Sequence, residues 1–226
     1  MSIKVLKVFT TIVSDVFKLF IINMPGSFGY KLRYLYYRRK FKKCGKNVTI
    51  DIGVSFEGLE LISVGDNVHI DKYCIISTGI NLTGKIHKKL NSSFKFDQGE
   101  IIIENDIHIC QFCILMGYGG IQINSNSVLS SGCKIYSLTN TAYDTDCQET
   151  IISIMPYSQA PFLLSPVYLD NNNWLGLNSV VMPGVSIGKN SFCTSNSVII
   201  NDFGENSYLS GSPAKMTRKR FKRKEN

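Results

Sequence analysis

Between Leu169 and Gly204 an apolar residue leads every sixth position: Leu169, Leu175, Val181, Ile187, Cys193 and Ile199. Four positions after each lead stands a mostly small side chain, namely Asn173, Ser179, Val185, Ser191 and Ser197, with Phe203 closing the run. A strand alternates with period 2 and a helix with period 3.6, so a strict period of six fits neither alone. It fits short strands joined by tight corners, in which each coil buries its apolar row only by stacking on the next. Earlier in the chain the same hexad leads recur at Val64, Ile70 and Ile76, at Ile103, Ile109 and Leu115, and at Ile123, Leu129 and Ile135. The predicted architecture is an all-β stack of about five to six coils, a prism on the order of 25 Å long at the usual strand spacing.

Two stretches leave the period. Residues 80–100 and 136–166 read as excursions from corners. The β-helix is predicted over 44–205, preceded by a helical segment over 1–43 and followed by a short basic tail over 206–226. From Ser2 to Asn23, polar residues at Lys4, Lys7, Thr11, Ser14 with Asp15, and Lys18 recur at helical spacing among Val, Leu, Ile and Phe. Asp15 and Lys18 interrupt the apolar run, which argues against a transmembrane span, and no uncharged core leads to a small-residue cleavage site. Pro25 and Gly26 end that helix. Tyr30, Tyr34, Tyr37 and Phe41 then line one face of a second, with Lys31, Arg33, Arg38, Arg39, Lys40, Lys42 and Lys43 between them. Basic heads on aromatic bodies suit an anionic membrane interface, and the same helix could instead cap the open end of the prism.

Charge is unevenly distributed. Residues 1–43 carry ten Lys or Arg against one acid, and residues 215–226 seven against one, whereas the middle has eight against fifteen acids. An acidic body with basic ends argues against a nucleic-acid face and places an anionic partner near the termini, lipid headgroups first. Of the seven cysteines, Cys74, Cys113, Cys133 and Cys193 fall on inward hexad positions, where a thiol is a small apolar filler. Cys110 and Cys113 form a CxxC with no second pair to complete a zinc site, so no metal is expected. A reducing cytoplasm fits this cysteine usage.

The run Asn173-Trp-Leu-Gly-Leu-Asn-Ser-Val-Val-Met-Pro-Gly-Val-Ser-Ile-Gly188, followed by Gly211-Ser-Pro-Ala-Lys215, resembles the hexapeptide-repeat acyltransferases. MPGSFGYKLRYLYY and CGKNVTI further resemble the branch that decorates bacterial surface polysaccharides. The resemblance implies a left-handed parallel β-helix, a homotrimer, and acyl-CoA, acetyl-CoA above all, as a co-substrate in the groove between neighbouring prisms, with no permanently bound cofactor. It implies that Trp174, Gly176 and Ser195 line the pantetheine arm and that Lys215 and Arg218 lie near the CoA phosphates.

One position departs from the family. Most members carry a histidine in the loop five residues after an apolar lead, though some sugar N-acyltransferases lack it; here the lead is Ile135 and the fifth residue is Asn140, which accepts no proton at neutral pH. Acyl transfer to an alcohol gains about 100-fold to 10,000-fold from a general base, whereas a neutral amine attacks without one. Asn140 therefore points to an amino-sugar acceptor, with its amide orienting the acceptor or donating to the oxyanion, while the polysaccharide-branch resemblance favours O-acylation. His108 is the candidate replacement base. It and His69 precede the second lead of their coils, the register of Trp174, which puts the three in one outward column; His87 lies in the first excursion. Tyr143 and Asp144, with Asp146, follow Asn140 and are candidate sugar contacts.

The expected activity is acyl transfer, O- before N-, to a sugar or lipid-linked precursor of a bacterial surface glycan, by direct attack on the thioester. It is expected in the cytoplasm, peripheral at the inner face of the plasma membrane. Two other readings stand beside it: a catalytically inactive trimeric scaffold, and a zinc enzyme of the carbonic-anhydrase type. The latter needs three histidine ligands, two of them close in sequence, and His69, His87 and His108 are 18 and 21 residues apart.

Overall fold

The structure is a computed structural model that describes residues 3–79, 86–88, 99–140 and 162–221. Its body is a left-handed parallel β-helix of six complete coils, which settles the predicted five to six. Three parallel faces run the length of the prism. The first stacks Lys43–Cys44, Ile62–Val64, Ile101–Ile103, Ile121–Ile123, Val167–Leu169 and Ser186–Ile187. The second stacks Thr49–Ile50, His69–Ile70, His108–Ile109, Val128–Leu129, Trp174–Leu175 and Phe192–Cys193. The third stacks Ser55–Glu57, Ile75–Ser77, Ile114–Met116, Lys134–Tyr136, Val180–Val181 and Val198–Ile199.

The hexad leads are the core: Ile103, Ile109, Leu115, Ile123, Leu129, Ile135, Leu169, Leu175, Val181 and Ile187 are all buried, and so are Cys74, Cys113, Cys133 and Cys193 between them. Corners between the first and second faces repeatedly place Asn or Asp at positive φ, at Asn47, Asn67, Asp106, Asn126, Asn172 and Asn190. These short polar residues tolerate the left-handed conformation, and their side chains bond along the axis: Asn47 Nδ2 donates to Asn67 Oδ1 at 3.1 Å and Asn67 Nδ2 to Asp106 Oδ1 at 2.9 Å. The sharp turn and its coil-to-coil tie are thus supplied by one residue type.

Helices Ile3–Asn23 and Gly26–Tyr37 close the first coil. The aromatic face of the second helix packs on the prism, since Tyr37 and Phe41 are buried against Phe56, and Tyr34 donates to the Gly45 carbonyl at 3.0 Å. Arg33, which the sequence groups with lipid-facing cations, is instead fully buried. Its Nε donates to the Ile50 carbonyl at 2.7 Å and its Nη1 to the Met24 carbonyl at 2.6 Å and the Ile21 carbonyl at 3.3 Å. One guanidinium thereby satisfies the carbonyl end of the first helix and fastens it to the first coil.

At the other end, Ser207–Gly211 continues the second face and Ala214–Lys219 folds back antiparallel on it. Arg220 fixes this hairpin, donating from Nη1 to the Asn172 carbonyl at 2.7 Å and the Ser191 carbonyl at 3.0 Å. The excursions also meet: Leu138–Asn140 pairs antiparallel with Phe162–Leu164, which pairs in parallel with Ile86–Lys88.

Candidate functional site

The outward positions of the second face form one column, in which His69 pairs with His108, His108 with Val128, Val128 with Trp174, Trp174 with Phe192, and Phe192 with Tyr208. Because parallel strands stack residue over residue, the upper part becomes an aromatic ladder. Trp174 and Phe192 meet edge to face at 5.6 Å, Phe192 and Tyr208 lie 5.0 Å apart, and the Arg218 guanidinium sits 3.9 Å over the Tyr208 ring. Trp174 is exposed, with its indole Nε1 donating to Ser130 Oγ at 2.9 Å. An apolar strip ending in a cation matches a ligand with a slender apolar arm and an anionic head.

Gly176 and Ser195 lie at the corner beside this ladder. A Cβ on Gly176 would stand 2.6 Å from the Ser195 nitrogen and 2.7 Å from the Cys193 carbonyl oxygen, so coil stacking already requires glycine there. Thr194, next to Ser195, donates to Ser210 Oγ at 2.9 Å, and Ser210 pairs with the exposed Lys215. Trp174, Gly176, Ser195, Lys215 and Arg218 are thus gathered on one face and its adjoining corner.

Asn140 lies elsewhere. It ends the strand Leu138–Asn140 of the excursion sheet, beside the third face, where Met116, Tyr136, Leu138, Thr139, Asn140, Val180 and Met182 line a cleft of about 300 Å³. Thr139 and the Asn140 amide bring polarity to a mostly apolar wall. The two residues singled out for chemistry are separated, since His108 is on the second face, two coils from Trp174, and its Nε2 is 3.0 Å from Asp71 Oδ2. Asp71 escapes the hexad reading because it sits at a corner, and only the register of the coils brings it between two histidines. Tyr143, Asp144 and Asp146 fall outside the described residues, and of His87 only its place in the strand Ile86–Lys88 is described.

Known proteins agree with this architecture. No family model matches the chain. It is 28% identical over 183 residues to a dTDP-4-amino-4,6-dideoxy-D-glucose acyltransferase of Escherichia coli, covering 81% of this chain and 84% of that one. Its fold is similar to that of AntD, an N-acyltransferase from Bacillus cereus solved with dTDP and 3-hydroxybutyryl-CoA, at a TM-score of 0.64 and 22% identity over 84% of this chain and 88% of the other. The hexapeptide-repeat acetyltransferase VCA0836 of Vibrio cholerae is similar at a TM-score of 0.51 and 17% identity, over 92% and 90% of the two chains.

Proposed function

The chain belongs to the hexapeptide-repeat acyltransferases, and from that premise we propose that it transfers an acyl group from an acyl-CoA to the amino group of a nucleotide-linked deoxy-sugar destined for a bacterial surface glycan. The observation that carries this reading is Asn140, a residue with no base function, at the mouth of a mostly apolar cleft. A deoxy sugar offers such a wall its methyl-bearing face, and a neutral amine needs no base to attack. The E. coli relative, matched over most of both chains, acts by its name on a 4-amino-4,6-dideoxy sugar, and this shifts the balance from the hydroxyl acceptor that the polysaccharide-branch resemblance favoured.

In this mechanism the ladder Trp174–Phe192–Tyr208 carries the apolar arm of the acyl-CoA, and Arg218 and Lys215 face its phosphates. The Asn140 amide carbonyl accepts a hydrogen bond from the acceptor amine and aims its lone pair at the thioester carbonyl. The C–N bond forms as the C–S bond breaks, and the ammonium proton passes through water to the departing thiolate. Donor and acceptor residues lie on different faces of one prism, so a complete site needs two chains side by side, as in a homotrimer. The first helix supplies the location. Val8, Phe9, Ile12, Val13, Val16, Phe17, Leu19 and Phe20 are exposed along it, while no described helix is long and apolar enough to cross a membrane. Lying in the interface beside anionic headgroups, it would hold the enzyme at the inner membrane face.

The test is release of CoA thiol from acetyl-CoA with dTDP-4-amino-4,6-dideoxyglucose and, separately, with the same sugar bearing a 4-hydroxyl. Turnover at least tenfold faster with the amine is expected. Faster turnover with the hydroxyl would return the assignment to O-acylation, and none with any acceptor would favour a scaffold.

A further inference from the structure

We infer that His69, Asp71 and His108 form a binding site for one divalent ion of the zinc type, built within a single chain from its second and third coils. His69 Nε2 lies 3.1 Å from Asp71 Oδ1, His108 Nε2 lies 3.0 Å from Asp71 Oδ2, and the donor atoms all fall within 4.8 Å of one another. Zinc bonds of about 2.0–2.1 Å in a tetrahedron separate neighbouring ligands by roughly 3.3 Å, close to the two histidine–carboxylate separations, and small side-chain rotations within the cluster would seat the ion. The imidazoles are stacked, with centroids 5.1 Å apart and planes at 29°, because the coils place His108 directly beside His69. The side chains are 46%, 21% and 45% exposed in the order His69, Asp71, His108, which leaves the ion a path in.

Without an ion, each imidazole Nε2–H donates to one carboxylate oxygen. To bind an ion through Nε2 each neutral imidazole shifts its proton to Nδ1, so that the ion takes the place of the two N–H groups with two neutral imidazoles and a carboxylate as ligands. Cys110 occupies in the third coil the place that Asp71 has in the second, but it stands outside the cluster of three donors. Two imidazoles with one carboxylate select borderline ions such as Zn²⁺, Co²⁺ or Ni²⁺ over Mg²⁺ and Ca²⁺, which prefer oxygen ligands. The site differs from a carbonic-anhydrase centre in having two histidines and a carboxylate from one chain. It also lies two coils away from Trp174 with Val128 between them, so it is independent of the acyl-transfer assignment. Its effect would be to clip together the two coils between which residues 80–100 leave the prism.

The experiment uses the full-length protein without a histidine tag, stripped with a chelator, and titrated with Zn²⁺ against a chromophoric competitor; Co²⁺ in a parallel sample reports coordination through its visible absorption. One ion per chain is expected, with binding weakened at least tenfold by Asp71→Asn and by His108→Gln and unchanged by His87→Gln. Unfolding curves in excess chelator that coincide for the wild type and the variants establish that the fold is intact; should one variant fail this control, His69→Gln replaces it. Absence of binding by the wild type at about 100 μM zinc, or binding that survives the ligand substitutions, overturns the site.

Discussion

Asn140 is the residue on which the proposed chemistry turns. Asn140→Ala should lower turnover at least tenfold while leaving acyl-CoA affinity intact, because in the proposed mechanism the carboxamide contacts the acceptor and the donor binds on the second face. Steady-state rates beside acyl-CoA titrations measure both, and unchanged turnover would remove Asn140 from the mechanism. A second prediction concerns Tyr37, whose buried hydroxyl has no hydrogen-bond partner among the described residues and whose pKa is pushed up to about 12, by burial first and by neighbouring Tyr36 second. A raised phenol pKa favours folding below the ordinary value near 10, and the advantage is lost as pH rises through 12. Urea unfolding free energies at pH 9 and pH 11 should therefore diverge more in the wild type than in Tyr37→Phe, by roughly 1–1.5 kcal/mol. At pH 7 the same substitution should cost little, since the hydroxyl it removes is unsatisfied. The sequence made the histidine column legible, because His69, His108 and Trp174 share one hexad register. It hid Asp71, whose role exists only once the coils on either side of a long excursion are stacked.

At the scale of elements, the two N-terminal helices divide the readings that the sequence left together. The second helix caps the prism through Tyr37 and Phe41, and the first keeps an exposed apolar surface. Their junction depends on Arg33. Arg33→Met should destabilise the docked first helix by about 2–4 kcal/mol, through the carbonyls of Ile21, Met24 and Ile50 that it leaves without donors. Amide hydrogen exchange in Ile3–Asn23 would report the loss while the coils stay protected. Removing residues 1–23 should abolish sedimentation with vesicles of anionic lipid, and equal sedimentation with and without them would end the membrane reading. Amphipathic periodicity shows that a helix has an apolar face. It does not show whether that face meets protein or lipid, and a buried arginine looks like any surface cation in a basic sequence.

On the scale of the whole molecule, the three corners of each coil differ. Those from first to second face and from second to third keep four residues from coil to coil, as in 104–107, 124–127 and 170–173, or 110–113, 130–133 and 176–179. Every change of length falls between the third face and the first, where 58–61, 117–120 and 182–185 keep four residues but 78–100 and 137–166 run far longer. A four-residue Gly-Ser insertion between Pro183 and Gly184 should leave the unfolding midpoint within a few degrees of the wild type. The same insertion between Asn126 and Ser127 should prevent folding, since Asn126 holds the left-handed turn and Ser127 is buried. Soluble yield and thermal scans would distinguish them. Two edges of the prism therefore behave as a ruler, whose fixed intervals give each side chain an address. The third is a margin on which new text can be written, and a descendant could change its acceptor by rewriting that margin alone, with every address on the donor face left standing.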